Sequence, residues 1–165
     1  MTETDIEKLL KALNQQGVEF VIIGGLAAVL QGSAYVTADL DLCYSRKAEN
    51  LGKLAKALDP FHPTLRGIAE EVAFGLDAST LRSGMNFTLT TEAGDVDIFG
   101  EVTGIGTYER VVTFSEEMEI FGMPCKVLTL EGLINAKRAV GRGKDLRLIP
   151  ELEALLQMRK TEKKN

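Results

Sequence analysis

The sequence predicts an α/β fold, a mixed β-sheet flanked by helices, in one domain over residues 1–160 with a frayed tail at 161–165. Three observations predict it. Short β-branched apolar runs alternate with amphipathic helical stripes along the chain. No Pro/Gly/Ser-rich linker and no internal repeat divides it. Its 165 residues, 45% of them hydrophobic, suit one core of ordinary domain size.

Each element has its own signal. Thr4 and Glu7 read as a capping box, followed by Ile6, Leu9, Leu10 and Leu13 at helical spacing, with Gly17 as the stop. Residues 18–23 (VEFVII) read as a buried strand, broken by Gly24-Gly25, after which 26–30 resume as a short helix. A second strand over 39–44 leads to a helix over 46–58, striped by Ala48, Leu51, Leu54, Ala55 and Leu58. The stretch 59–83, opened by DPFHP, carries no clear period and reads as loop with short helix. Residues 85–91 and 95–99 read as strands joined by a turn at 92–94, and further β-like sequence follows at 111–114, 118–121 and 124–128. Thr129 caps a helix carrying Leu130, Leu133, Ile134 and Val140 and ending at Gly141, and Pro150 suits the first turn of a last helix.

Composition excludes several classes of function. The net charge of −5 excludes a generic nucleic-acid coat. Cys43, Cys125 and the lone His62 have no zinc or redox spacing, which fits a reducing compartment. The opening MTETDIEKLL has acids where a signal peptide carries bases, and no apolar run approaches a membrane span. A cytoplasmic protein with no membrane partner is expected. Charge is unevenly placed: residues 1–136 hold 10 basic and 20 acidic side chains, residues 137–165 hold 9 and 4. An acidic body with a basic C-terminal segment can join carboxylate-bound metal to cations that hold phosphate.

Chemistry concentrates in three places: Gly24-Gly25, the run TADLDL and the run GDVDIFG. Asp39 and Asp41 are two apart in an apolar strand, so they share a face at about 7 Å between Cα atoms. Two such carboxylates repel each other and are costly to desolvate, and a divalent cation relieves both penalties. All-oxygen ligands favour Mg²⁺ or Mn²⁺ over zinc. Asp95 and Asp97 repeat the pattern. If the two strands are neighbours, Asp97, flanked by Val96 and Ile98, completes a three-carboxylate cluster of the kind that holds two metals, while Asp95 after Gly94 shapes a turn. A Gly-Gly turn that opens a helix presents backbone N–H groups to phosphate. It is neither G-x-G-x-x-G nor a P-loop.

Gly24-Gly25, thirteen residues, Asp39-Leu-Asp41 and a later Val-Asp97-Ile resemble the signature of the polymerase-β-type nucleotidyltransferase superfamily. The string IIGGLAAVLQGSAYVTADLDL is similar to its small bacterial members, including the abortive-infection (AbiEii-like) toxin nucleotidyltransferases. LINAKRAVGRGKDLRLIPEL resembles their C-terminal helical motif. The resemblance implies a minimal nucleotidyltransferase fold with C-terminal helices. It implies that Asp39 and Asp41 ligate both metals and that Asp97 ligates one and takes the acceptor's proton. Gly24 and Gly25 cradle the terminal phosphates, and Lys137, with Arg142 and Lys144, neutralises phosphate charge. The implied activity is Mg²⁺- or Mn²⁺-dependent transfer of a nucleoside monophosphate (NMP) from a nucleoside triphosphate (NTP) to a hydroxyl of tRNA or other RNA, protein or a small molecule, with release of pyrophosphate. The alternative is a catalytically silent nucleotide- or metal-binding module, for example half of a toxin–antitoxin pair, and a partner protein or homodimer is compatible with either.

The chain departs from the family pattern at Gly25, where many relatives carry Ser, and at 34–37 (AYVT), where relatives of this branch often have an arginine. Lys137 follows Leu133 and Ile134 on an apolar helix and needs an anion, expected to be the aspartate cluster or a bound phosphate. Weaker signals are Cys43, read as an apolar filler, His62, read as a surface residue, and Arg110, Arg147 and Tyr108, which are near turns and could touch a base.

Overall fold

A computed structural model describes residues 4–34, 39–68 and 74–163. From the N-terminus the elements are α1 (Ile6–Gln15), β1 (Phe20–Ile23), α2 (Gly24–Leu30), β2 (Leu40–Tyr44), α3 (Ala48–Leu58), β3 (Thr64–Leu65), α4 (Ala78–Ser83), β4 (Asn86–Thr91), β5 (Gly94–Phe99), β6 (Glu101–Val102), β7 (Gly106–Thr107), α5 (Tyr108–Val111), β8 (Ser115–Ile120), β9 (Met123–Leu128), α6 (Leu130–Val140) and α7 (Gly143–Lys163). Seven strands form one mixed sheet in the order β3-β4-β5-β2-β1-β9-β8. The β2–β5 and β1–β9 pairs are parallel and the other pairs antiparallel. The expected α/β fold, a mixed sheet flanked by helices, is the observed one.

Strand alternation decides which side chains face which layer. Leu40, Leu42 and Tyr44 of β2, with Val96 and Ile98 of β5, are fully buried. The Tyr44 hydroxyl donates to Met85 O at 2.8 Å, and Arg46 reaches Leu81 O and Gly84 O at the end of α4. Asp41 and Cys43, and in register Asp97 and Phe99, point the other way. On that second face Tyr108 and Val111 of α5 and Leu133 and Ile134 of α6 are buried, and α6 packs along α7. The core is contiguous through both layers.

The helix ends show how local chemistry fixes the frame. Thr129 caps α6 by accepting from Gly132 N–H at 3.2 Å, and Gly141 ends it in the left-handed region at φ 69°. At α1 the cap is Asp5, accepting from Lys8 N–H at 3.0 Å, so the expected Thr4–Glu7 box is displaced by one residue. Two further expectations are corrected. Residues 111–114 are not a strand but the end of α5 and a 3₁₀ turn, because Tyr108 and Val111 bury at a spacing of three. Pro150 lies inside α7 and does not open it. An internal proline costs about 3 kcal/mol of helix propensity. Here Asp145 and Ile149 before it and Leu152 after it are all buried, so tertiary packing overrides that cost. The helix continues through Lys163. Positions 35–37, within the AYVT stretch, lie outside the described residues, as do 69–73 of the unreadable 59–83 segment and the last two residues.

Candidate active site

Strand register assembles the site. Ile23 of β1 lies opposite Asp41 of β2, Asp41 opposite Asp97 of β5, and Asp97 opposite Thr88 of β4. Neighbouring strands are about 4.8 Å apart, so the Asp41 and Asp97 carboxylates rise side by side from one face. Asp39 is two residues before Asp41, at the mouth of β2, and is partly buried. Asp95 lies in β5 itself, opposite Thr90, and not in the turn expected for it.

Gly24 follows Ile23 and turns the chain into α2 at φ 66°, a region that L side chains rarely adopt. A Cβ there would also run into the Asp41 carboxylate. Glycine is required twice over, by backbone angle and by the acid packed against it. Burial first, then the charges of Asp97 and Asp39, push Asp41 up to about 6, against the pull of Arg66 and Lys137. The positive charge nearby eases the burial of Asp41 without offsetting it.

Two residues that supply such charge, or organise it, were missed from the sequence. Arg66, just after β3, donates from Nη2 to Asp97 Oδ1 at 2.7 Å and to Leu89 O at 2.7 Å. Its Nε lies 3.4 Å from Asp95 Oδ2. It belongs to the segment without a period, and the demand of the acids for a cation was its only sequence signal. The other is Asp145, 5% exposed, in the first turn of α7. It accepts from Lys137 Nζ at 3.0 Å and Arg142 Nε at 3.2 Å. The hydrogen bond from Lys137 leads the effects that hold Asp145 below the usual carboxylate range. The anion expected for Lys137 is therefore Asp145, not the aspartate cluster.

The structure gathers most of the residues singled out from the sequence. Gly24, Gly25, Asp41, Asp97, Lys137, Arg142 and Lys144 line one cleft of about 340 Å³, with Asp145. Asp39 is not on its wall. Lys137 and Lys144 belong to different helices, split by Gly141, yet border the same space. The weaker candidates fall away from it. Cys43 is fully buried, its thiol pushed up to about 12 by burial, as an inert filler would be. His62 is exposed and bonds Glu92 at 2.7 Å, and the Arg110 guanidinium stacks over Phe114.

The donors at the aspartate cluster are oxygens alone, and Asp41 is raised by burial and then by its acidic neighbours, so the chemistry fits a hard divalent cation. Among the described residues no three His, Cys, Asp or Glu side chains already converge as a ligand set. Arg66 occupies Asp97 Oδ1, and a carboxylate has a second oxygen with which to ligate a cation.

A family described as "Nucleotidyl transferase of unknown function (DUF2204)" matches residues 2–164. The chain belongs to this family. No curated protein sequence matches this nucleotidyltransferase. Solved structures share its fold at low identity. A lincosamide antibiotic adenylyltransferase, solved with lincomycin bound, is 15% identical over 93% of this chain and 99% of that one, with a TM-score of 0.57. The aminoglycoside enzyme ANT(2")-Ia, solved with adenylyl-2"-tobramycin, is 17% identical over 95% of each chain, at 0.53. A Thermotoga maritima protein assigned to the nucleotidyltransferases is 19% identical over 97% of this chain and 91% of that one, at 0.51.

Proposed function

We propose that this nucleotidyltransferase moves an NMP from an NTP to a hydroxyl acceptor and releases pyrophosphate, with Mg²⁺ or Mn²⁺ held by Asp39, Asp41 and Asp97. The observation that carries the proposal is the in-register pair Asp41–Asp97 beside Gly24, at one end of a cleft whose other wall bears Lys137, Arg142 and Lys144. When bound, the divalent ions would neutralise the α-phosphate and the leaving pyrophosphate. The protein's own groups do the rest. Gly24 and Gly25 give the terminal phosphates close backbone approach, and Lys137 of α6, Arg142 of the turn after it and Lys144 of α7 neutralise them. Asp97 takes the acceptor's hydroxyl proton as the new O–P bond forms and the bond from the α-phosphorus to the bridging oxygen breaks.

The acceptor is a hydroxyl of RNA, protein or a small molecule. Small antibiotics figure in two of the structures that share the fold, which keeps a small acceptor in view. The abortive-infection subgroup and a cytoplasmic setting stay part of the proposal, resting on the IIGG…TADLDL string and the reduced cysteines. Among the described residues no helix is long and apolar enough to cross a membrane.

The test is incubation of the protein with α-labelled NTPs, Mg²⁺ or Mn²⁺, and cellular RNA, protein and small-molecule fractions. Label is expected in one fraction with matching pyrophosphate release, and in none with Asp41→Asn. Nucleotide binding without transfer to any fraction would instead favour the silent binding module.

A further inference from the structure

A second chamber, of about 250 Å³, adjoins the polar cleft, and its chemistry differs. Its walls are Ile23 and Leu128 at the ends of β1 and β9, the Phe99 side chain at the end of β5, and Leu133, Ala136 and Val140 along α6. Polar groups are at its edge: Asn86, Glu101 and Thr103. The two chambers are adjacent and have Gly24, Asp41, Lys137, Arg142 and Asp145 as common lining.

We infer that this apolar chamber beneath α6 is the nucleobase pocket of the bound NTP. The inference rests on the nucleotidyl-transfer reading and adds to it where the heterocycle goes. The base and triphosphate of one nucleotide are joined through a single ribose, so the base must occupy space continuous with the phosphate wall. This chamber adjoins that wall, with five lining residues in common. A slot walled by aliphatic side chains and one aromatic ring suits a flat heteroaromatic ring, which gains from stacking and apolar burial. The rim groups Asn86, Glu101 and Thr103 offer the donors and acceptors that a base edge requires. The acceptor is assigned elsewhere by Asp97, which borders the polar cleft and not this chamber. An acceptor hydroxyl must come within hydrogen-bond reach of the group that takes its proton.

The test compares two ligands on the full chain, each with Mn²⁺: inorganic tripolyphosphate, and the tightest-binding of the four ribonucleoside triphosphates. Calorimetry on the wild type should show the NTP binding at least about tenfold more tightly than tripolyphosphate. Ala136→Trp fills the chamber and should remove that difference, leaving tripolyphosphate affinity within about twofold of wild type. Val140→Trp, at a position 40% exposed on the chamber's mouth, repeats the test where folding is not threatened. It decides the matter if Ala136→Trp fails to fold or loses both ligands. Unchanged NTP affinity in a folded variant would overturn the inference. If neither ligand binds the wild type, the nucleotidyl-transfer reading itself fails, and this inference with it.

Discussion

Asp41 carries the largest electrostatic penalty in the site. Its carboxyl is raised from 3.8 to about 6 by burial and by the charges of Asp97 and Asp39. An acid raised on folding binds more protons folded than unfolded between those two values. Its cost to stability is therefore absent below about pH 4, grows as pH rises through about 6, and is fully present at pH 7.5. Asp41→Asn removes it. The variant should be more stable than wild type at pH 7.5 without ligand, by on the order of 1–2 kcal/mol after allowing for solvent screening, with the gain vanishing near pH 4. Denaturant melts at the two pH values measure this, and a variant less stable at pH 7.5 would show that Asp41 is already satisfied. The spacing of Asp39 and Asp41 and the Gly24-Gly25 turn were legible from the sequence because both are local, whereas the packing of Asp41 against Gly24 was not. Arg66 was not, because its contacts with Leu89, Asp95 and Asp97 exist only once β3, β4 and β5 pair.

The junction of α6 and α7 turns on Asp145, buried between Lys137 and Arg142. Asp145→Ala leaves Lys137 without its anion and should cost about 1–3 kcal/mol at pH 7. Asp145 is depressed on folding, so its contribution is present above the unfolded value near 3.8 and lost as pH falls through the folded value. The stability gap between wild type and variant should therefore narrow as pH falls below the unfolded value near 3.8. Lys137→Ala should cost less, because Arg142 still reaches Asp145, yet should weaken NTP affinity by about 1.5–3 kcal/mol, as loss of a charged hydrogen bond does. Normal affinity in a folded Lys137→Ala protein would remove Lys137 from the site. Helix α6 was readable end to end, since Thr129 and Gly141 mark its limits in the sequence itself. Helix α7 was misread at Pro150 because its first two turns are held by Asp145 and Ile149, contacts that local propensity does not encode. Residues 111–114 were misread for a related reason: β-branched composition suggested a strand, and burial at a helical spacing prevailed.

At the scale of the whole molecule, the order β5-β2-β1 brings the aspartate strands and the Gly24 turn together, and α6 and α7 close the cleft from above. Six of the sheet's seven strands were legible in the sequence; β3, inside the stretch read as loop with short helix, was not, and neither was the strand order, since pairing is long-range. The parallel pairing of β2 with β5 is what sets Asp97, and not Asp95, beside Asp41. The central claim is that this pair holds a metal-bound nucleotide. Isothermal titration of NTP in the presence of Mn²⁺ tests it most directly, on wild type, Asp41→Asn, Asp97→Asn and Asp95→Asn, with melting as a parallel readout. Wild type should bind, gaining about 2.7 kcal/mol of stability at 100 times Kd. Asp41→Asn should abolish binding. Asp97→Asn should keep much of it but lose turnover, and Asp95→Asn should stay close to wild type on both counts. Absence of binding to wild type at millimolar Mn²⁺ and NTP, or equal binding by Asp41→Asn, would contradict the account.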